Sequence, residues 1–537
     1  MFNRFIILTA LTFLVCIHIG CSDAANNQSK VVLSDTIPVS GRPDKTIPGG
    51  FSQPTNLRFD STMLTRFLDS FPGMNEFKAE LTGFYQKRNF SYAWFNDKGM
   101  IEPAGNLYNR LQNIAEEGVK DTIPYKKEFT RLMEADMETK TASAMLDLML
   151  TAQYLHYSHT VWNGMSEKET KAMEWLLPRK QTSYAELLDS LISGKNILAN
   201  EPVYRQYNLL KDYLKKYNAI KANGGWPTIT ADKKTYRAGD SSELIRKVRN
   251  HLFINGDLAT DNQSAIFDST MVLAIKDYER RLGYKQDGIL TATLISEMNK
   301  PVEKRIQQII VNMERSRWVP VKVEGDYLLV NIPDYTLYAY ENDSIVFSMN
   351  VVVGKDQNKT VIFNGDMKYI VFSPYWNIPT SILKKEVLPG IRRNPNYLAR
   401  HNMEWNGGNV RQKPGLNNSL GLVKFLFPNS HSIYLHDTPS KSLFNEDLRA
   451  FSHGCIRLAE PKKLAAYLLR NDTSWTNEKI TTAMNAGKEQ SVTLKKPIPV
   501  FIVYFTSWVD RKGKLNFRND IYKRDQNLAD MIFAKAK

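Results

Sequence analysis

The segment Ser452-His453-Gly454-Cys455-Ile456-Arg457 gathers the residue types needed for covalent chemistry. A thiol becomes a useful nucleophile once a base or a nearby cation favours its thiolate. Histidine does this near neutral pH. Two histidines qualify: His453, two positions before Cys455, and His436, nineteen positions before it. Gly454 allows close approach of a substrate carbonyl to the backbone. The amides around Gly454 and Cys455 are then candidates for stabilising an oxyanion. Each part alone is a weak signal. Together they point to Cys455 as a nucleophile and His436 as its base. His453 competes for that role, although facing a sulfur two residues away needs a tight turn.

The bland readings are specific. Cys455 as an inert buried thiol sits poorly beside a glycine and two histidines. His436 as a core histidine satisfied by backbone is the stronger rival. Arg457 either binds a substrate carboxylate or braces the loop through a bidentate ion pair, and both readings stay open. Trp376 reads as cleft lining. Tyr434, two residues before His436, is more often a core residue than a site residue. His156 and His159 have helical spacing that suits a metal, but no cysteine or carboxylate constellation accompanies them. They read as structural and not as a metal site.

These residues need a scaffold to hold them. Ile433 to Leu435 predicts a strand that delivers His436 to its end. Runs such as YLLVNI, TLYAY, SIVFSMNVVVG, KYIVFS and VFIVYFTSWV are rich in β-branched and aromatic residues. Residues 321–530 therefore read as a mainly β domain with inserted helices. Residues 301–320 form a connecting helix, with Pro301 suited to its first turn. Residues 235–300 read as three short helices. Ser241 or Asp240 caps the first, Leu244, Val248 and Leu252 line its inner face, and Val272, Ile275 and Tyr278 mark the second. Asp287-Gly288 turns into the third, capped by Thr291 or Thr293. Residues 59–229 are mainly helical, with apolar spacing at Leu107, Leu111 and Ile114 and at Leu146, Met149, Leu150 and Tyr154. The fold class is multidomain α+β, as 537 residues exceed one core.

A formal net charge of +15 is spread along the chain. It reads as a solvated basic surface, with attraction to an anionic polymer as the functional alternative. No zinc-ligand pairs, arginine-rich arm or single-strand binding motif accompanies it, so nucleic acid is not expected as a partner. Residues 1–21 have a positive start and a short apolar stretch, FIILTALTFLVCIHI, and read as a secretory signal. Gly20-Cys21 resembles a bacterial lipoprotein cleavage site, with His18 as a departure. Lipidation at Cys21, cleavage nearby and an uncleaved anchor all remain open. The three cysteines are Cys16, Cys21 and Cys455. With Cys16 in the signal and Cys21 lipidated, Cys455 would be the sole free thiol. Residues 22–58, rich in Ser, Pro, Gly and Asn, read as a flexible tether. An envelope location, periplasmic, is the expectation, with a lipid anchor to a membrane where Cys21 is modified.

The segment from His436 to Arg457 resembles the L,D-transpeptidase family, with its YkuD-type catalytic domain. The signature is a histidine followed by Ser-His-Gly-Cys-x-Arg. Further matches are Gly354-Lys355, Trp376-Asn377-Ile378-Pro379 before a helix ending in a leucine-proline step, and Arg411 to Gly415. Asn418, Leu420-Gly421, Lys424-Phe425 and Phe427-Pro428-Asn429 match as well. The tail TSWVDRKGKLNFRNDIY resembles the closing segment of the family's large, scaffold-bearing periplasmic branch. Residues 235–300 resemble the small peptidoglycan-binding domain of wall enzymes, and a helical spacer is the alternative. The resemblance implies Cys455 as nucleophile, His436 as proton acceptor, and His453, Gly454 and Ser452 in support. It implies that the backbone carbonyl of Asp437 orients His436. A Cys-His-Asp triad through the Asp437 side chain is the less favoured alternative. The implied reaction is a two-step acyl transfer from a tetrapeptide stem to a diamino-acid acceptor stem of peptidoglycan, giving a 3-3 cross-link. The alternatives are an inactive wall-binding scaffold and a thiol carboxypeptidase.

Overall fold

A computed structural model describes residues 55–119, 123–139, 143–193 and 201–534. The chain divides into two compact units, Met1–Pro48 and Gly49–Lys537, and the described residues all belong to the second. The signal, Cys21 and all of the tether before residue 55 lie outside the described residues. Among the described residues no helix is long and apolar enough to cross a membrane.

Helix Ala144–Tyr157 (AMLDLMLTAQYLHY) is apolar on nearly every face, so it must be surrounded. It is buried continuously from Leu146 to Tyr157. Thr62–Ser70, Lys78–Lys87, Glu102–Gln112 and Lys126–Thr139 pack around it. Its carboxylate, Asp147, accepts hydrogen bonds from the Tyr85 hydroxyl (2.7 Å) and the amides of Ala93 (3.1 Å) and Trp94 (2.8 Å). Burial still pushes Asp147 up to about 6. His156 is buried, and His159 Nε2 lies 2.9 Å from Glu80 Oε1. Among the described residues no group of His, Cys, Asp or Glu could hold a metal ion.

The next unit comprises helices Glu243–Asn255, Ser269–Leu282 and Ala292–Met298. Leu244, Val248 and Leu252 are buried, and Thr291 caps the third helix by accepting from the amide of Leu294 (3.2 Å). The cap of the first helix differs from expectation. Its N-cap is Ser242, whose side chain makes no capping bond. Asp240 instead accepts from the amide of Arg237 (2.8 Å), and Ser241 bridges Ile266. This unit shares one apolar core with the preceding helices and with the hairpin Ser507–Val509/Leu515–Phe517.

Helix Val302–Trp318, with Pro301 at its N-cap, joins the two halves. One side packs on Gln206–Ala222. From the other, Asn312 Nδ2 donates to Thr506 Oγ1 (2.8 Å), and Arg315 pairs with Asp525 (2.6 Å).

The C-terminal half is built on a sheet of nine strands. In chain order these are β1 Tyr327–Asn331, β2 Thr336–Glu341, β3 Ser344–Gly354, β4 Phe363–Phe372, β5 Val423–Leu426, β6 Leu435–His436, β7 Ala450–Ser452, β8 Ile456–Leu458 and β9 Gln490–Val503. The order across the sheet is β7-β3-β8-β6-β5-β4-β9-β1-β2, and β2 also pairs with β3, closing a ring. The strand before the candidate base is shifted from expectation: Leu435–His436 are paired, so His436 lies within the ladder. Residues between β4 and β5 form an inserted lobe with its own small core of Ile378, Ile382, Leu383, Val387 and Val410. Its leucine-proline step, Leu388-Pro389, lies inside a continuous helical run over residues 380–393 instead of closing a helix. The π-helical turn Leu383–Val387 directly precedes it, an irregularity of the kind that accommodates a proline within a helix. At the lobe's base, Asn418 Nδ2 donates to Pro374 O (3.0 Å) and Lys413 O (2.9 Å), which ties its two ends together.

Candidate active site

Parallel pairing sets Leu435 opposite Ile456 and His436 opposite Arg457. Leu435 and Ile456 are fully buried on one face of the sheet. Side chains alternate along a strand, so Tyr434, His436, Cys455 and Arg457 share the other face. Cys455 and His436 are diagonal neighbours there, a relationship that places Cβ atoms about 7 Å apart.

The turn before Cys455 demands glycine. Gly454 has φ +114°, a conformation that side chains rarely adopt. The backbone of Gly354 packs against it: a Cβ on Gly354 would lie 2.0 Å from Asn358 O and 3.1 Å from Gly454 Cα. Ser452 is buried inside the turn. Its hydroxyl donates to Cys455 O (2.5 Å) and accepts from the amide of Gly454 (3.1 Å). The Gly454 amide is therefore engaged, and the Cys455 amide is the donor this turn offers to an oxyanion.

His436 is buried, and its Nδ1 lies 2.5 Å from the carbonyl oxygen of Asp437. A carbonyl only accepts, so Nδ1 carries the proton and Nε2 presents its lone pair. Burial, reinforced by Arg457, pushes His436 down to about 3, against the opposing pull of the Asp437 carbonyl. The imidazole is neutral near pH 7. The Asp437 carboxylate points elsewhere. It accepts from the amides of Leu422 (2.8 Å) and Thr438 (2.7 Å) and pairs with Lys441 (2.5 Å). It thereby anchors the strand end and makes no side-chain triad with His436.

Cys455 is half-buried. Its thiol donates to the carbonyl of Ser432 at 3.7 Å, not to His436. Burial pushes the thiol up, while Tyr434 and Arg457 pull the other way. The resting pair is a neutral thiol and a neutral imidazole. No hydrogen bond joins the two in this structure, and catalytic hydrogen bonds are often long before substrate binds. Tyr434 is half-buried, with its ring 5.7 Å from that of His436, and burial together with Cys455 pushes its phenol up. Trp376, on the inserted lobe, lies close enough to Tyr434 to pull its phenol down against these effects, which brings that indole to the same wall.

Arg457 is half-buried, its Nε is buried without a hydrogen-bond partner, and it forms no ion pair among the described residues. A desolvated guanidinium without a carboxylate suits a ligand better than a brace. His453 is exposed, with Nε2 3.3 Å from Glu386 Oε1 on the lobe segment Leu383–Val387. Glu386, Ser432 and Thr360 escape sequence reasoning, because only tertiary structure brings them to the motif.

Residues 325–484 match the family model of the L,D-transpeptidase catalytic domain, YkuD, and residues 79–214 match a Scaffold domain. A candidate L,D-transpeptidase of Haemophilus influenzae is 33% identical over 248 residues, which are 42% of this chain and 50% of that protein. The chain thus matches about half the length of that curated relative. An L,D-transpeptidase structure from Stackebrandtia nassauensis is 13% identical, with 51% of this chain and 97% of that chain covered and a TM-score of 0.22. One from Mycobacterium smegmatis is 13% identical, with coverage of 33% and 58% and a TM-score of 0.20.

Proposed function

We propose that this chain, which carries a YkuD-type L,D-transpeptidase catalytic domain, is a peptidoglycan L,D-transpeptidase that makes 3-3 cross-links through a thioester on Cys455. One observation carries the mechanism. Cys455 shares a sheet face with a neutral His436 whose Nδ1 is committed to Asp437, so Nε2 is the base.

Cys455 Sγ attacks the carbonyl carbon of the third stem residue, a diamino acid, in a tetrapeptide donor. The thiol proton passes to His436 Nε2, and the oxyanion meets the Cys455 amide. The carbon–nitrogen bond to the terminal D-alanine then breaks, and its amine leaves with the proton from Nε2. The side-chain amine of an acceptor stem attacks the thioester and gives a proton to Nε2. The sulfur–carbon bond breaks, and sulfur takes that proton back. Arg457 is the cation that suits the donor's terminal carboxylate. No step needs a metal or organic cofactor. Acting on this polymer places the enzyme in the cell envelope.

Incubation of the purified chain with disaccharide-tetrapeptides should yield a cross-linked dimer by mass, absent in Cys455→Ala. Trimmed tripeptide alone would replace this reading with a carboxypeptidase. No product, together with no covalent adduct on prolonged carbapenem exposure, would reduce the domain to an inactive scaffold.

A further inference from the structure

The turn that holds Cys455 is clasped by residues far from it in sequence. Thr360 is fully buried, and its hydroxyl bridges two backbones. It accepts from the amide of Gly354 (2.9 Å) and donates to the carbonyl of Gly454 (2.9 Å). The amide of Thr360 in turn donates to the hydroxyl of Tyr522 (3.2 Å), and that hydroxyl donates to the carbonyl of Gly354. Tyr522 is itself buried, stacked on Tyr504 with ring centroids 5.7 Å apart, and its amide donates to the Tyr504 hydroxyl (2.9 Å).

The consequence follows from peptide planarity. The carbonyl of Gly454 and the amide of Cys455 belong to one rigid, trans peptide unit, so they point in opposite directions. A hydroxyl that fixes the carbonyl also fixes the direction of the amide. The Gly454 amide is engaged by Ser452, which leaves the Cys455 amide as the turn's donor. A glycine at φ +114° has no side chain to hold that peptide plane; Ser452 bonds the groups on either side of it, and Thr360 holds its carbonyl directly, from outside the turn.

We propose that Thr360 is a positioning residue for acyl transfer. Its hydroxyl aims the Cys455 amide as an oxyanion donor, and Tyr522 holds Thr360 in place. The inference rests on the reading of Cys455 as an acyl-accepting nucleophile, but not on which acyl donor is natural. The helical region reaches the same loop. Trp175 bridges Ile362, and the amide of Leu176 donates to Ile362 O (3.0 Å). Arg524, two residues after Tyr522, donates to the carbonyl of Met173 (2.6 Å). The donor's aim is thus set by three stretches of chain that meet behind the nucleophile.

The test separates acylation, which passes through an oxyanion, from alkylation, which does not. The full chain is acylated at Cys455 with p-nitrophenyl acetate and, separately, alkylated with iodoacetamide. Cys455→Ala supplies the blank for any other thiol. Thr360→Val, which keeps the shape and loses the hydroxyl, should slow acylation about tenfold or more, below the ~10²–10³ lost when a donor is removed outright. Its alkylation rate should stay within about twofold of the parent. Thr360→Ser should restore acylation. An unchanged ratio of acylation to alkylation in Thr360→Val would overturn the proposal. If that variant does not fold, Tyr522→Phe gives the same decision: a lowered ratio supports the relay and an unchanged ratio refutes it. A parent protein that is acylated by the ester but makes no peptidoglycan dimer would sink the proposed function and leave this test intact.

Discussion

His436 stands directly opposite Arg457 in the parallel ladder, with Cys455 one diagonal step away on the same face. A permanent cation beside a buried imidazole disfavours the imidazolium. Burial, against the pull of Arg457, favours the protonated thiol, which donates to Ser432 O. The site therefore starts neutral and separates charge only during attack. Thiolate formation at rest should need a higher pH than for an ordinary cysteine, because burial raises the thiol. The alkylation rate of Cys455 by iodoacetamide, measured against pH, should rise through a midpoint above the usual thiol range. A midpoint below neutrality would mean a preformed thiolate–imidazolium pair and would refute this picture.

Arg457 gives a prediction whose sign distinguishes its two readings. A brace would lose stability on truncation. A half-buried guanidinium without a carboxylate carries a desolvation cost and returns no ion-pair energy. Arg457→Met should therefore leave Tm unchanged or raise it. Loss of a charge-assisted contact to the donor carboxylate should cost about 2 kcal/mol, or roughly thirtyfold in kcat/KM. A fall in Tm with unaltered kcat/KM would assign Arg457 to the loop.

The neutral state of His436 has a cost in acid. Its folded value is lowered from 6.5 to about 3, so the unfolded chain binds the proton first. The contribution is fully present above pH 6.5 and is lost as pH falls toward 3. His251, buried against Trp226 and Tyr278, runs the same way. Asp147 opposes them, because its raised value favours the fold at low pH. Thermal melts across this range should show His436→Gln losing less stability on acidification than the parent. Parallel curves for the two proteins would mean that the fold takes up a proton at His436 as readily as the unfolded chain does.

The motif was legible because its parts are local. Cys455, Gly454 and His436 lie in one stretch of 20 residues, and the strands announce themselves through β-branched runs. What sequence hides is the support. Thr360 meets Gly454 across 94 residues and Tyr522 across 162, and no periodicity encodes either pairing. Boundaries also shift where two polar neighbours compete. Asp240 and Ser241 look like caps, but the Asp240 carboxylate is bonded to the amide of Arg237, Ser241 is bridged to Ile266, and the cap position falls on Ser242. Ser452 read as a supporting side chain of general kind. Its hydroxyl turns out to occupy the Gly454 amide, which leaves the Cys455 amide as the turn's candidate donor.

The two motif histidines can be told apart by one comparison. His453 is exposed and meets an exposed Glu386 at 3.3 Å, a pairing of the kind that contributes about 0.2–1 kcal/mol. His436 is buried, neutral and held in one tautomer by Asp437. General acid–base catalysis contributes about 10²–10⁴-fold. His436→Gln should therefore lower kcat about a thousandfold. His453→Gln and Glu386→Gln should each retain at least about a tenth of it, with any larger effect appearing in KM as the lobe's grip on the turn loosens. If His453→Gln instead abolishes turnover while His436→Gln preserves it, the base has been assigned to the wrong ring. The lobe contact with Glu386 would then be the interaction that orients it.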